Sequence, residues 1–395
     1  MTTLRSIDPA RHVVLYIPDF SIGGAERVAI NLAQALPSAE IRVTLLVNRR
    51  QGKLAGTIPT GVRVVSLEAR RTILALPALI RFLRRERPDV LIASLAFNNL
   101  IAIWANRLAG RPTRLIASLH NTLSRERTRP EIQFRLLPLL YRLTLPLADG
   151  ILTVSSGVAD DLRLSIARLP AITTIHNPIV PTGLDALVAD APDHPWFQQA
   201  EGSPPVVIAV GRFVPQKNFA LLLDAFAILS QTRMVRLAIL GDGPLKPELV
   251  AQIDRLGLGD RVALLGTDAN PWRYMARASV LALTSHFEGF GNVLVEAMAV
   301  GCPVVSTDCP HGPAEILEGG RWGRLAVPAT PARFADMLAE TLDHPADAAA
   351  LHQRAACFSA SAVAEDYRAL IRRLLVAKPG ARARKAKVLD RRSEA

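Results

Sequence analysis

The sequence predicts an α/β protein of two parallel-sheet domains with a cleft between them. Three observations carry that expectation. Short apolar runs alternate with segments of helical periodicity along most of the chain, which marks βαβ units and not hairpins. The alternation stops over 177–205, where Pro178, Pro181, Pro192, Pro195, Pro204 and Pro205 fall, and then restarts. The chain has 395 residues, more than the ~100–200 of one domain.

The elements follow in order. Residues 12–17 form an apolar run closed by Pro18 and read as a buried strand. Val28, Leu32 and Leu36 recur four apart, so 27–36 is a helix. Strands are expected at 41–47, 62–67, 90–93, 114–118, 151–154 and 172–175, with helices at 76–85, 100–108 and 158–164. After the proline-rich stretch, strands are expected at 206–210, 236–240, 262–265, 280–284 and 303–306. Helices or helical turns fall at 219–229, 245–256, 274–278, 292–300, 314–317, 333–342 and 363–375. The boundaries are therefore a first domain at 1–180, a linker or hinge at 181–204, a second domain at 205–360, a terminal helix at 361–375 and a tail at 376–395. The tail opens on Pro379-Gly380 and is rich in Lys and Arg, so disorder is expected there, either as a solubilising end or in contact with anionic lipid.

Composition narrows the function. Apolar residues make up 50% and charged residues 21%, which excludes disordered and fibrous classes. The net charge of +12 is uneven: residues 1–180 carry +12, 181–375 carry −5 and the tail +5. Nucleic acid is not the expected partner, because aromatic content is 5% and no stacking residues interleave with the cations. Cys302, Cys309 and Cys357 match no disulfide or metal-ligand spacing, so no metal is expected from them and a reducing compartment fits; no cofactor is expected either. No apolar stretch reaches the ~18–20 residues of a spanning helix, and residues 1–11 do not read as a signal peptide. The expected place is the cytoplasm or the inner face of a membrane.

Four motifs sit where strands end. Gly23-Gly24 follows the first strand and opens a helix, either as a plain tight turn or as a backbone approach to an anion at the helix N-terminus. Arg212 and Lys217 place two cations in one strand-to-helix loop, where a diphosphate needs neutralising; a solvated turn is the plainer alternative. Glu288 and Glu296 flank Gly289 and Gly291 at the entry to another helix. Carboxylates accept paired hydrogen bonds from vicinal hydroxyls, so one can grip a sugar and the other a ribose; Glu288 could instead cap the helix. The N–H groups of Asn292, Val293 and Leu294 should point at the cleft. His120-Asn121 ends a first-domain strand, as a loop residue or as a polar contact facing Glu288.

Together, Gly23-Gly24-Ala25-Glu26, His120, Gly211-Arg212 with Gln216-Lys217-Asn218, Gly241-Asp242-Gly243-Pro244, Glu288 with Glu296, and the stretch 297–310 resemble the retaining glycosyltransferases of family 4 over roughly 12–375. The resemblance implies the GT-B fold: two Rossmann-like α/β/α domains, an acceptor domain first and a nucleotide-sugar domain second, with the last helix crossing back. It implies catalytic roles for His120, Arg212, Lys217 and Glu288. Arg212 and Lys217 would hold the donor diphosphate, Glu296 the ribose and Glu288 the transferred sugar. His120 would lie near the sugar's C6 group, with its carbonyl favouring a cationic anomeric centre. Gly23, Gly24, Gly241, Phe290, Gly291, Asn292 and Val293 complete the implied nucleotide-sugar site. Retention is attributed in that family to a same-face displacement assisted by the leaving phosphate, without a protein nucleophile or a metal.

The expected partners are a nucleotide-diphosphate sugar, UDP-linked before GDP-linked, and a saccharide or lipid-linked acceptor of surface-polysaccharide synthesis. Residues 124–142 mix Arg125, Arg127, Arg129, Arg135 and Arg142 with Leu136, Leu137, Leu139, Leu140 and Tyr141, as an ordinary helix or as a segment lying on an anionic membrane. A nucleotide-sugar epimerase of similar fold is the rival reading. A nicotinamide-dependent oxidoreductase is disfavoured, because neither half carries Gly-x-Gly-x-x-Gly.

Overall fold

The computed structural model of the protein describes residues 10–127, 132–198 and 202–376. The first sheet contains β1 (Arg11–Ile17), β2 (Ile41–Val47), β3 (Arg63–Ser66), β4 (Val90–Ser94), β5 (Arg114–Leu119), β6 (Gly150–Thr153) and β7 (Ile172–Thr174). Its order is β3-β2-β1-β4-β5-β6-β7, parallel throughout. The second contains β8 (Val206–Val210), β9 (Arg236–Leu240), β10 (Val262–Gly266), β11 (Val280–Leu283), β12 (Val304–Thr307) and β13 (Arg324–Ala326). Its order is β10-β9-β8-β11-β12-β13, also parallel.

Helices α1 (Gly24–Ala35), α2 (Leu76–Glu86), α3 (Ala96–Leu108), α4 (Leu123–Glu126), α5 (Ile132–Arg135), α6 (Leu137–Thr144) and α7 (Ser156–Ser165) belong to the first domain. Those of the second are α8 (Leu184–Val188), α9 (Phe219–Thr232), α10 (Lys246–Arg255), α11 (Trp272–Met275), α12 (Asn292–Ala299), α13 (Pro313–Ile316), α14 (Pro331–Asp343) and α15 (Ala348–Ala356), followed by α16 (Ala360–Val376). The central strands are unbroken Val/Ile/Leu runs because helices cover both faces. Val13, Val14, Leu15, Tyr16 and Ile17 of β1 are all buried. Phe226 of α9 and Phe334 of α14 fill the same role against β8 and β9.

The two sheets share one topology. Strand order reverses between β1 and β4 and again between β8 and β11, and the chain leaves these strands toward opposite faces. The crevice at the strands' carboxyl ends is where such sheets take ligands.

One expectation needs correction, and two elements were not foreseen. In the stretch expected as a linker or hinge, residues 181–198 are folded. They carry α8 and a short 3-10 turn at Pro195–Phe197, with Phe197 buried. The segment is fastened to the second domain by Asn270 Nδ2 donating to Leu187 O (2.7 Å) and Arg277 Nη1 to Val188 O (3.0 Å). The chain crosses between domains at Asn177–Val180, beside its return crossing: Ile179 N donates to Phe358 O and Ala360 N to Val180 O, each at 2.8 Å. Helix α15 was missed. It is alanine-rich, with only Leu351 and Ala355 buried, too few apolar positions to show a period. Its start was nonetheless marked by Asp347, whose carboxylate accepts from Ala349 N and Ala350 N. Strand β13 has only three residues, too short for alternation to register.

Helix α16 returns to the first domain. Val363, Ala364, Tyr367, Leu370 and Ile371, spaced three and four apart, are buried with the core around β1 and α1. Arg368 Nη2 fixes the docking by donating to Ala35 O at 2.6 Å. Beyond Val376, the basic tail lies outside the described residues.

Candidate active site

The two strand-order reversals face each other across a cleft of about 750 Å³. All the residues singled out from sequence line it or its wall: Gly23, Gly24, His120, Arg212, Lys217, Gly241, Glu288, Phe290, Gly291, Asn292, Val293 and Glu296.

On the first-domain side, β1 leads through Gly23 into α1. Gly23 is the N-cap, with extended backbone and no side-chain cap bond from its own position, and the Glu26 N–H is taken up by the Glu26 carboxylate. The Glu26 carboxylate folds back over Gly23, where a Cβ would collide with it. Burial pushes that carboxyl up to about 6; its own backbone N–H opposes the shift, Asp19 adds to it and Arg212 opposes it. His120 follows β5, with Nε2 3.2 Å from Ser118 Oγ. Burial pushes its imidazole down to about 4, so it is neutral at pH 7.

On the second-domain side, β8 leads into Gly211 and Arg212. The Arg212 guanidinium is paired with no carboxylate among the described residues, whereas Lys217 Nζ donates to Glu288 Oε1 at 2.5 Å. Ser285 Oγ donates to the same oxygen at 2.6 Å, leaving Glu288 Oε2 for a ligand. The loop is stitched by Gln216 Nε2 to Phe287 O (3.0 Å) and Thr284 Oγ1 to Lys217 O (3.1 Å). These bonds hold cation and carboxylate in one geometry before any ligand arrives.

Glu288 does not cap α12: the N-cap is Gly291, at φ 98°, with no side-chain cap. The capping alternative therefore falls. The Leu294 N–H, expected to face the cleft, is taken by Gly291 O at 2.9 Å, which leaves those of Asn292 and Val293. Glu296 lies one turn into α12 and is buried. Burial raises its carboxyl above the ordinary range, while Arg27 and Lys217 pull it back.

Contacts clasp the domains around the cleft. Ser155 Oγ donates to Gly289 O at 2.7 Å, Asn177 Nδ2 to Asn292 Oδ1 at 2.8 Å and Arg27 Nη2 to Ala269 O at 2.7 Å. A Cβ at Gly289 would collide with the His120 carbonyl oxygen, and one at Gly24 would come within 3.0 Å of Asn292 Nδ2. The His120 carbonyl thus packs on Gly289.

Sequence reasoning missed the loop after β4. Leu95, at φ 75°, turns the chain so that Phe97 and Asn98 line the cleft. Asn98 is buried and its Nδ2 has no hydrogen-bond partner within the described residues. The signal was present as two asparagines in an otherwise apolar helix start, since buried amides need partners. Phe97 meets Phe134 edge-on at 5.3 Å, giving this side of the cleft an aromatic wall. Among the described residues no cluster of His, Cys, Asp and Glu could hold a metal ion.

Two family models match the chain, Glycosyltransferase Family 4 over residues 22–183 and Glycosyl transferases group 1 over residues 190–357. A relative from Campylobacter jejuni, N-acetylgalactosamine-N,N'-diacetylbacillosaminyl-diphospho-undecaprenol 4-alpha-N-acetylgalactosaminyltransferase, is 32% identical over 323 residues, 79% of this chain and 84% of that protein. The lipopolysaccharide 1,6-galactosyltransferase of Escherichia coli is 31% identical over 66% of this chain and 67% of its own length. Among solved structures, HepE of Anabaena in complex with UDP-glucose superposes with a TM-score of 0.74 at 22% identity, covering 92% of this chain and 99% of its own. No relative among them is an epimerase. With both domains matched in order and the Campylobacter enzyme aligned over most of its length, the chain belongs to the group 1 glycosyltransferases of GT-B fold.

Proposed function

We propose that this glycosyltransferase is a retaining, metal-independent enzyme of family 4 that moves a hexose or N-acetylhexosamine from a UDP-sugar to a lipid-linked saccharide. The observation that carries the donor half is the convergence of Arg212, the Lys217–Glu288 pair and Glu296 at one strand-order reversal, facing the Gly23-Gly24 entry to α1 at the other. Two cations in one strand-to-helix loop suit a diphosphate. Arg212 and Lys217 neutralise it and stabilise the nucleoside diphosphate as it leaves. Glu296 takes the ribose hydroxyls, and Glu288 Oε2 takes a hydroxyl of the transferred sugar. The N–H groups of Asn292 and Val293, and those of Gly24 and Ala25 at the start of α1, complete the charge cradle.

In the step itself, the bond between the anomeric carbon and the β-phosphate oxygen breaks. The bond from the acceptor oxygen forms on the same face, and the hydroxyl proton passes to the departing phosphate. No side chain has to act as nucleophile. A glycosidase-type pair would need a second carboxylic acid poised for the leaving oxygen. The first-domain glutamates lining the cleft are Glu26, folded onto its own helix N-terminus, and Glu126, which accepts from Asn121 Nδ2 at 3.2 Å.

The UDP assignment is supported by the UDP-glucose complex of HepE, and the lipid-linked acceptor by the undecaprenol-linked substrate in the Campylobacter relative's name. The test is a thermal-shift comparison of UDP, GDP, ADP and NAD on wild type and Glu296→Ala, followed by NMR of the anomer first released on slow donor hydrolysis. A ligand at 100 times its dissociation constant stabilises by about 2.7 kcal/mol. A shift with UDP alone, lost in the variant, and release of the donor's own anomer are expected. A shift with GDP instead, or the opposite anomer, contradicts the proposal.

A further inference from the structure

Helix α6 carries two apolar stripes. Leu137, Tyr141 and Thr144 face inward and are buried. On the other side Leu136, Leu139, Leu140 and Leu143 recur at helical spacing, and they are 49, 56, 37 and 61% exposed. A scattered exposed leucine needs no explanation, but a stripe at this spacing marks a contact surface. Helix α3 extends it. The Trp104 indole Nε1 lies 3.3 Å from Thr144 Oγ1 at the end of α6, with the ring 44% exposed, and Leu108, one turn further, is 52% exposed.

The rim of this patch is basic. Arg107, Arg135 and Arg142 are exposed and pair with no carboxylate among the described residues. Arg84, at the end of α2, reaches Leu108 O at 2.8 Å. Leucine and tryptophan ringed by arginine is the composition of a surface that sinks into the headgroup region while its cations meet lipid phosphates. A second copy of the chain would bring an equal rim of arginines against it. The patch also leads to the active site: Phe134 lines the cleft, and the next residues, Arg135 and Leu136, are exposed on the patch. Among the described residues no helix is long and apolar enough to cross a membrane.

We propose that the face formed by α6 and the end of α3 docks on an anionic lipid surface, bringing a lipid-linked acceptor to the mouth of the cleft. This rests on the lipid-linked acceptor proposed above, to which it adds the surface that meets the bilayer. It replaces the broader expectation for 124–142: Leu137 and Tyr141 are core residues, and Arg129 lies outside the described residues.

The experiment is flotation of the full chain with vesicles of 30% phosphatidylglycerol in phosphatidylcholine, and of phosphatidylcholine alone, at low and high salt. Three proteins are compared: wild type, Leu139→Gln/Leu143→Gln, and Arg107→Glu/Arg142→Glu. Each is also titrated with UDP by thermal shift and run in sedimentation velocity. Wild type should float with the anionic vesicles, and both double variants should bind at least about tenfold more weakly while keeping the wild-type UDP shift. The exposed sites make unfolding by these changes unexpected, and the UDP shift reports it if it occurs. Equal flotation of the leucine variant overturns the proposal, because it assigns binding to overall charge or the tail. Absence of flotation by wild type overturns it too, as does a wild-type dimer that the leucine variant converts to monomer. Loss of the UDP shift in wild type, with flotation still dependent on the leucines, sinks the donor assignment and leaves the docking face standing.

Discussion

Lys217→Ala should weaken UDP binding by more than its own contact with the ligand, and Glu288→Gln should restore part of the loss. The reasoning starts from the 2.5 Å bond between Lys217 Nζ and Glu288 Oε1 in a half-enclosed cleft. A charge-assisted hydrogen bond to phosphate is worth about 1.5–3 kcal/mol. Removing the lysine also uncovers the Glu288 carboxylate. A like charge ~8 Å from the diphosphate at an effective dielectric of ~20 opposes binding by about 2 kcal/mol. The single variant should therefore lose roughly 3–5 kcal/mol, and Lys217→Ala/Glu288→Gln only about 1.5–3, a recovery of about 30-fold. Arg212 has no carboxylate partner among the described residues, so Arg212→Ala should lose its own contact alone and gain little from Glu288→Gln. The assay is isothermal titration with UDP at pH 8 and low salt, on the three single variants and the two pairs. If the Lys217→Ala/Glu288→Gln protein binds no better than Lys217→Ala, or if Glu288→Gln rescues the Arg212 variant equally, the lysine does not mask the carboxylate and the argument fails.

Two further predictions follow from single groups. The Glu26 carboxyl sits at about 6 in the folded protein, above its ordinary 4.5. Between those values the folded state holds more protons than the unfolded one, so this group's contribution to stability falls as pH rises from about 4.5 to about 6 and stays lost above it. Glu26→Gln removes that cost and should raise stability at pH 8 by up to about 2 kcal/mol, with the gap closing toward pH 4.5; melting curves across pH test this, and a gap independent of pH would falsify it. Gly289→Ala places a Cβ against the His120 carbonyl and should push the domains apart. Displacement of reacting groups by ~1 Å costs about 10² in rate, so kcat/KM should fall while UDP affinity, set in the second domain, changes by less than about threefold. Small-angle scattering should show a larger radius of gyration in the variant; an unchanged radius with unchanged rate would place the loop elsewhere in solution.

The sheet strands were legible because both sheets are covered on two faces, and such strands spell themselves as apolar runs: HVVLYI and VVIAV need no context. Strand order was not legible, since parallel neighbours are chosen by crossovers and not by the strands' own residues. That order explains why motifs far apart in the chain share one cleft: Gly23 follows β1 and Leu95 follows β4, Arg212 follows β8 and Glu288 follows β11. The proline-rich stretch misled for a physical reason. Prolines mark the lack of regular structure, not the lack of packing, and Phe197 in their midst is buried.

The two halves of the site differ in how they can be read. On the proposed reading the donor side works with formal charge: Arg212, Lys217 and Glu288 fall in glycine-bearing loops where charges have few structural uses, and Glu296 lies one turn into the helix that follows. The acceptor side, on this reading, works with neutral groups: Asn98, with its unsatisfied Nδ2, and the Phe97–Phe134 wall. Phenylalanine and asparagine are also ordinary core and cap residues, so their spacing says nothing until the backbone turn at Leu95 aims them. The same holds for α6. Its leucines read as one apolar block, and only the structure separates Leu137 and Tyr141, which hold the helix down, from Leu139 and Leu143, which face outward. A surface that recognises lipid has to use residues that a core also uses. What distinguishes it is the side on which the helix places them, and the arginines at its rim that no carboxylate among the described residues neutralises.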